Sequence, residues 1–173
     1  IQSRESARQT SCRNNTKQIV LALLNHENGL QKFPVGAANQ RGLGVSWLVP
    51  TASYLEAPDQ ISEIDSQSRN AGSPLRNARH ARLIDGVEIG SLSCPSSPFS
   101  PFRDVGKATV MMPSYVGLSG AAAAPDFLED RISRCCLPSS DGQVSGGGVL
   151  IPNEAIRARQ IRDGMSKTMC IGE

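Results

Sequence analysis

Aromatic side chains are scarce in this sequence, at 4% of its residues, so a core has to be built from aliphatic and small side chains. Histidine is scarcer still. His26 and His80 are the only two, and no C-x-x-C pair accompanies them, which leaves too few ligands at suitable spacing for a zinc site. A dominant charge is lacking as well. Lys and Arg number 18 against 16 Asp and Glu, and the net +2 is too small to mark nucleic acid or an anionic surface as a partner. No apolar run in these residues approaches the roughly 20 that cross a bilayer. No internal repeat or linker-like stretch divides the chain, so residues 1–173 read as a single domain with a core of its own.

What is present is turn chemistry and cysteine. The 16 Gly and 11 Pro imply many turns and little long regular structure beyond the first helix. Five cysteines, Cys12, Cys94, Cys135, Cys136 and Cys170, point to one or two disulfides in an oxidising compartment, with at least one thiol left over. For the adjacent Cys135 and Cys136, separate partners or one free thiol are favoured over a strained vicinal bond.

The opening stretch carries the clearest pattern. Cys12, Thr16, Ile19 and Leu23 recur at i, i+4, i+7 and i+11, which is one face of a helix. Val20 and Leu24 widen the stripe toward its end, whereas Arg4, Arg8, Arg13 and Lys17 lie mostly away from it. Gly29 reads as the stop, with His26 in the last turn and Pro34 beyond. A helix over residues 1–28 is about 40 Å long at 1.5 Å per residue, so one end is expected to project. The segment "GVSWLVPTASYLE" (44–56) then reads as a Pro-interrupted helical piece with Trp47 and Tyr54 as anchors. Residues 57–86, rich in Ser, Asn, Asp and Arg, read as an excursion over the surface. Strand candidates follow at 87–94, 109–120, 147–151 and 167–173, with a Pro/Ser loop at 95–102. "DGMSKT" (163–168) reads as a tight turn in which Asp163 and Ser166 fasten backbone N–H groups. One long helix followed by short strands predicts an α+β fold, the helix packed on an antiparallel sheet.

Candidate chemistry is thin. Ser119 in "GLSGA" resembles the nucleophile turn of hydrolases, but only His26 and His80 are available as a base and no long helix follows. "DGQVSGGGVL" (141–150) is glycine-rich without the Lys and Ser/Thr of a phosphate loop, and reads as a turn entering a strand. Asp126, Glu129 and Asp130 in "PDFLEDR" offer the oxygen ligands calcium prefers, without the spacing of a calcium loop. A capped helical turn is the simpler reading there, so no cofactor is expected and calcium is the one ion kept in view. "RNARHAR" (76–82) reads as a solvated face, since no aromatic platform adjoins it. None of these patterns describes an enzyme.

Several blocks, taken in order, are more specific. "SARQTSCRNNTKQIVLAL" with "NHE" and "FPVG", then "GVSWLVPTASYLE", "LSCPSS", "PSYVGLSG" and "IRDGMSKTMCIGE" resemble pilin-like proteins. More narrowly, they resemble a large bacterial family of unknown function whose members carry a prepilin-type cleavage and methylation segment. The likeness touches most of the chain except 57–86 and 121–143; "CC" at 135–136 belongs to no block, and the family pattern continues past "IGE". It implies an apolar membrane helix running into residue 1, with 1–28 as its soluble half and 29–173 as the globular part. It also implies a structural pseudopilin-like subunit, anchored in the membrane and then assembled with copies of itself into a pilus- or type II secretion-like filament outside the inner membrane. Such a protein is extracytoplasmic, at the cell surface or in the periplasm. On this resemblance Cys12 and Cys94 form a disulfide tying helix to sheet. The residues that carry assembly are then packing residues: Cys12, Thr16, Ile19, Leu23, Leu24, Trp47 and Tyr54. A different expectation is a surface module that captures DNA or polysaccharide through the loops at 57–86 and 95–105.

Overall fold

The computed structural model describes residues 2–38, 44–64, 76–121, 126, 128–133 and 144–173. Helix α1 spans Gln2–Leu30. Its first half is polar, and its hydroxyls are absorbed by the helix itself. Thr10, Ser11 and Thr16 donate back to the carbonyls of Ser6, Ala7 and Cys12 at 2.8, 3.2 and 3.0 Å, so these side chains do not compete for backbone groups elsewhere.

The helix stops later than Gly29 suggests. Gln31 takes the left-handed conformation at φ 57°, and its N–H donates to Glu27 O at 2.6 Å. That geometry costs a non-glycine residue about 1–2 kcal/mol. A side-chain bond from Gln31 Nε2 to Asn28 O at 3.0 Å helps offset it. Gly29 stays inside the helix.

The chain then makes short pieces. Helix α2 (Leu48–Thr51) passes directly into a 3₁₀ turn at Ala52–Tyr54, a further 3₁₀ turn covers Asp59–Glu63, and α3 spans Ala78–Ile84 with Asn77 accepting from His80 N–H at its start. Strands β1 (Phe102–Asp104) and β2 (Thr109–Met111) pair antiparallel, Phe102 opposite Met111. Strands β3 (Val116–Gly117) and β4 (Ile171–Gly172) form a second antiparallel pair, Val116 opposite Gly172. The fold is α+β, with two small sheets instead of one continuous sheet on the helix.

Two predicted strands take other forms. In 87–94 the buried residues Ile89 and Leu92 are three apart, and Gly90–Leu92 closes as a 3₁₀ turn. Residues 147–150 bend, yet they are held by Leu150 N–H on Leu118 O at 3.2 Å and by Gly36 N–H on Ile151 O at 2.9 Å. Gly36 is required there, because a Cβ would collide with the Leu150 carbonyl. The end of the Pro/Ser loop also differs, since Phe102 begins β1.

The main core joins α1 to Phe33, Trp47, Leu55, Ile89, Leu92, Tyr115, Val149, Leu150 and Ile171. A second cluster, Val45, Ala52, Ile61 and Ile64, sits beside it. The supposed surface excursion therefore contributes to the interior: Ile61, Ile64, His80 and Ala81 are buried, while residues 65–75 lie outside the described residues. Among the described residues no helix is long and apolar enough to cross a membrane.

Candidate functional site

The helix divides at Cys12. Every side chain from Ser3 to Ser11 is exposed, and from Cys12 onward one face is buried through Ile19, Ala22, Leu23 and His26. Ile19 and Leu23 lose all solvent contact; Thr16 and Leu24 are half-buried at the margins. Ala22 and His26 belong to the docked face although the expected stripe omitted them. Trp47 is buried as expected. Tyr54 is not a core anchor: it remains 42% exposed, with its hydroxyl near Gly29 at the end of the helix.

At the dividing point a strap of chain lies along the helix. Cys12 and Cys94 form a disulfide, the partners lying 82 positions apart in sequence. Asn15 Nδ2 donates to Ser93 O at 2.8 Å, and Ser96 Oγ donates to Glu5 Oε1 at 2.9 Å. Residues 93, 94 and 96 thus meet residues 15, 12 and 5, and the strap runs antiparallel to the helix. Tyr115 closes the site from below, its hydroxyl donating to Cys12 O at 3.1 Å. Burial pushes that hydroxyl above its ordinary pKa. Cys94 N–H is held by Ser114 Oγ at 3.0 Å. Sequence reasoning missed Asn15, Ser93 and Tyr115, because polar side chains that bond distant backbone leave no periodic trace.

The other end of the docked half is a cleft of about 500 Å³ lined by His26, Phe33, Val45, Ala52 and Ile61 among others. His26 Nδ1 lies 3.0 Å from Lys32 O, just past the helix end. Burial holds His26 below its ordinary pKa, against a smaller opposing effect of that backbone bond, while the nearby Lys32 charge adds to the lowering.

The remaining candidates separate in space. No hydrogen bond among the described residues joins Ser119 to either histidine: Ser119 O accepts from Gly148 N–H at 2.7 Å, and His80 Nδ1 is 3.1 Å from Nδ2 of Asn77, the residue that caps α3. Arg79 and Arg82 face solvent on α3. In the acidic cluster Glu129 is already engaged. Arg131 Nε donates to it at 2.8 Å and Ser145 Oγ at 3.2 Å, and the guanidinium holds this carboxyl below its ordinary pKa. Residues 128–130 form no helical turn. Among the described residues the atoms that could converge on a metal are the sulfurs of Cys12 and Cys94 and the Glu173 carboxylate, within 4.8 Å of one another, and the disulfide already uses both sulfurs. Cys170 is a free, half-buried thiol whose pKa burial raises. Cys135 and Cys136 lie outside the described residues. In the 163–168 turn the fastening group is Thr168, whose Oγ1 donates to Gly164 O at 3.0 Å, in place of Asp163 and Ser166.

Residues 2–173 match the family described as a protein of unknown function (DUF1559), and the chain belongs to it. No curated protein and no solved structure matches the chain.

Proposed function

We propose that this member of the family is a structural, non-enzymatic, pseudopilin-like subunit that assembles with copies of itself through α1. The observation that carries the reading is the division of that helix. A rod whose residues 3–11 are wholly exposed, and whose next turn is bolted to the globular part by a disulfide, presents a helical surface held at a fixed angle. Isolated helices of about 10 residues are marginal in water. Here the first half continues a docked helix and is steadied by Ser96 on Glu5, so it persists without a core of its own. On this reading the exposed half packs against its counterparts in a filament, and an upstream apolar helix, as the resemblance implies, holds the subunit in the membrane beforehand. The subunit works outside the inner membrane, where the disulfide survives, and it needs no cofactor.

The loops that a DNA- or polysaccharide-capturing module would use are committed to structure only in part, since Phe99 and its neighbours are exposed and residues 65–75 lie outside the described residues. Residues 59–64 and 78–84 feed the interior, and 93–96 lie on the helix.

The test is cysteine cross-linking in the intact gene product in its own host. Single substitutions Arg8→Cys and Gln9→Cys should give subunit–subunit cross-links in the sheared surface fraction, and Arg82→Cys on α3 should not. Uniformly monomeric protein in that fraction would refute assembly through this surface.

A further inference from the structure

A second recess lies on the side of the molecule built by the glycine-rich turn at 146–148 and the loop 156–168. It encloses about 670 Å³ and is lined by three arginines, Arg131, Arg159 and Arg162, with Gln160 between them in the chain. Arg131 is balanced by carboxylates, Glu129 first and then Asp130 and Asp163 nearby. Among the described residues neither Arg159 nor Arg162 forms an ion pair, and Asp163 is the one carboxylate in the described lining.

Arg131 is the arginine of this recess that already has a partner, though its side chain is 60% exposed. Its Nε and Nη2 both donate to Glu129, at 2.8 and 3.1 Å, and the pair rests on the turn so closely that a Cβ at Gly147 would collide with the Glu129 carboxylate and lie 2.6 Å from Arg131 Nη2. A guanidinium carries five N–H donors, so this bidentate pairing leaves others unspent. Arg159 and Arg162 are exposed at its rim. Gln160 has given its carbonyl oxygen to Arg157 N–H at 2.8 Å, which leaves its amide N–H₂ as a further donor.

The backbone N–H groups of the turn are not the receptor. Those of Gly146, Gly147 and Gly148 donate to Arg131 O, Ser145 Oγ and Ser119 O, so the turn is no phosphate loop and recognition falls to side chains. Val149, Ile156 and Ile161 supply an apolar floor, and no aromatic side chain is in the described lining to stack a nucleobase.

We propose that this recess binds a compact oxyanion (carboxylate, sulfate or phosphate), held by Arg159 and Arg162 together with Arg131, which Glu129 orients. Planar guanidiniums suit such groups by paired hydrogen bonds, which an ammonium cannot reproduce. The anion is either free in solution or the charged group of an acidic polysaccharide. The site lies off α1, so it stands or falls independently of filament assembly.

Titration calorimetry with inorganic sulfate and with polygalacturonate distinguishes the two sources. Saturable binding of sulfate assigns the free anion, and binding of the polymer alone assigns the acidic saccharide. In either case Arg159→Ala with Arg162→Ala should weaken binding at least about tenfold, the loss of one to two charge-assisted bonds. It should also flatten the salt dependence and leave the thermal midpoint in place. Arg159→Lys with Arg162→Lys should restore only part of the affinity, and Arg79→Ala on α3 should change nothing. The proposal is overturned if neither probe binds saturably, or if Arg79→Ala weakens binding as much as the double substitution.

Discussion

In α1 the side chains of Ile19 and Leu23 are sealed from water, whereas every side chain from Ser3 to Ser11 is exposed, although both stretches share one unbroken helix. The docked half owes its stability to apolar burial, worth about 1.5–3 kcal/mol for each large aliphatic side chain removed from water. The exposed half owes its persistence to continuity and to the strap, through Ser96 on Glu5. Its Glu5–Arg8 pair, 3.8 Å apart with both side chains about half-exposed, adds little once solvent screening is counted. Buried and exposed surfaces have been assigned to different turns of one helix, and the disulfide sits at the boundary.

That contrast can be broken most severely at the boundary itself. Replacing Cys12 and Cys94 together by Ser opens a cross-link between residues 82 apart, and the chain-entropy model assigns such a bridge about 4 kcal/mol. Denaturant unfolding should show that loss; a change below about 1 kcal/mol would mean that the strap is held by its other contacts. Next in size, Leu23→Ala should cost about 3 kcal/mol, because the side chain is fully enclosed and its space cannot collapse completely. Gln9→Ala on the exposed half should stay within about 0.5 kcal/mol. Equal costs at the two sites would erase the division.

The smallest effect concerns pH. Burial lowers the His26 pKa from its ordinary 6.5, so the unfolded chain takes up the proton before the folded one does. Stability is therefore complete above about pH 6.5 and declines as pH falls below it, levelling off once the folded pKa is passed. His26→Gln should remove that part of the slope in urea midpoints collected from about pH 8 to pH 5. An unchanged slope would place the titrating group elsewhere.

Much of α1 was legible from spacing alone, because a helix buries residues that recur with its own period, as Cys12, Ile19 and Leu23 do. Trp47 was legible too, since a single large apolar ring has few economical places outside a core. Tyr54 misled because it has the same bulk with a hydroxyl that tolerates water. Residues 57–86 misled because their average polarity hid Ile61 and Ile64, which fill a second cluster. The strap was invisible: Asn15 on Ser93 O joins residues 78 apart, and no local pattern encodes such a meeting. The arginine recess was invisible for the same reason, being assembled from residues on either side of a glycine turn read only as a turn.

By itself the sequence determined that a long helix opens the chain, that one face of its second half is apolar, and that turns rich in Gly and Pro keep later strands short. Those are local properties, set by side-chain period and backbone freedom within a few residues. Tertiary structure alone decided where the helix leaves the core, which carbonyls the strap meets, and which three arginines face one recess. Each of these is a distance between residues far apart in the chain, and only the closing of the whole fold sets such distances.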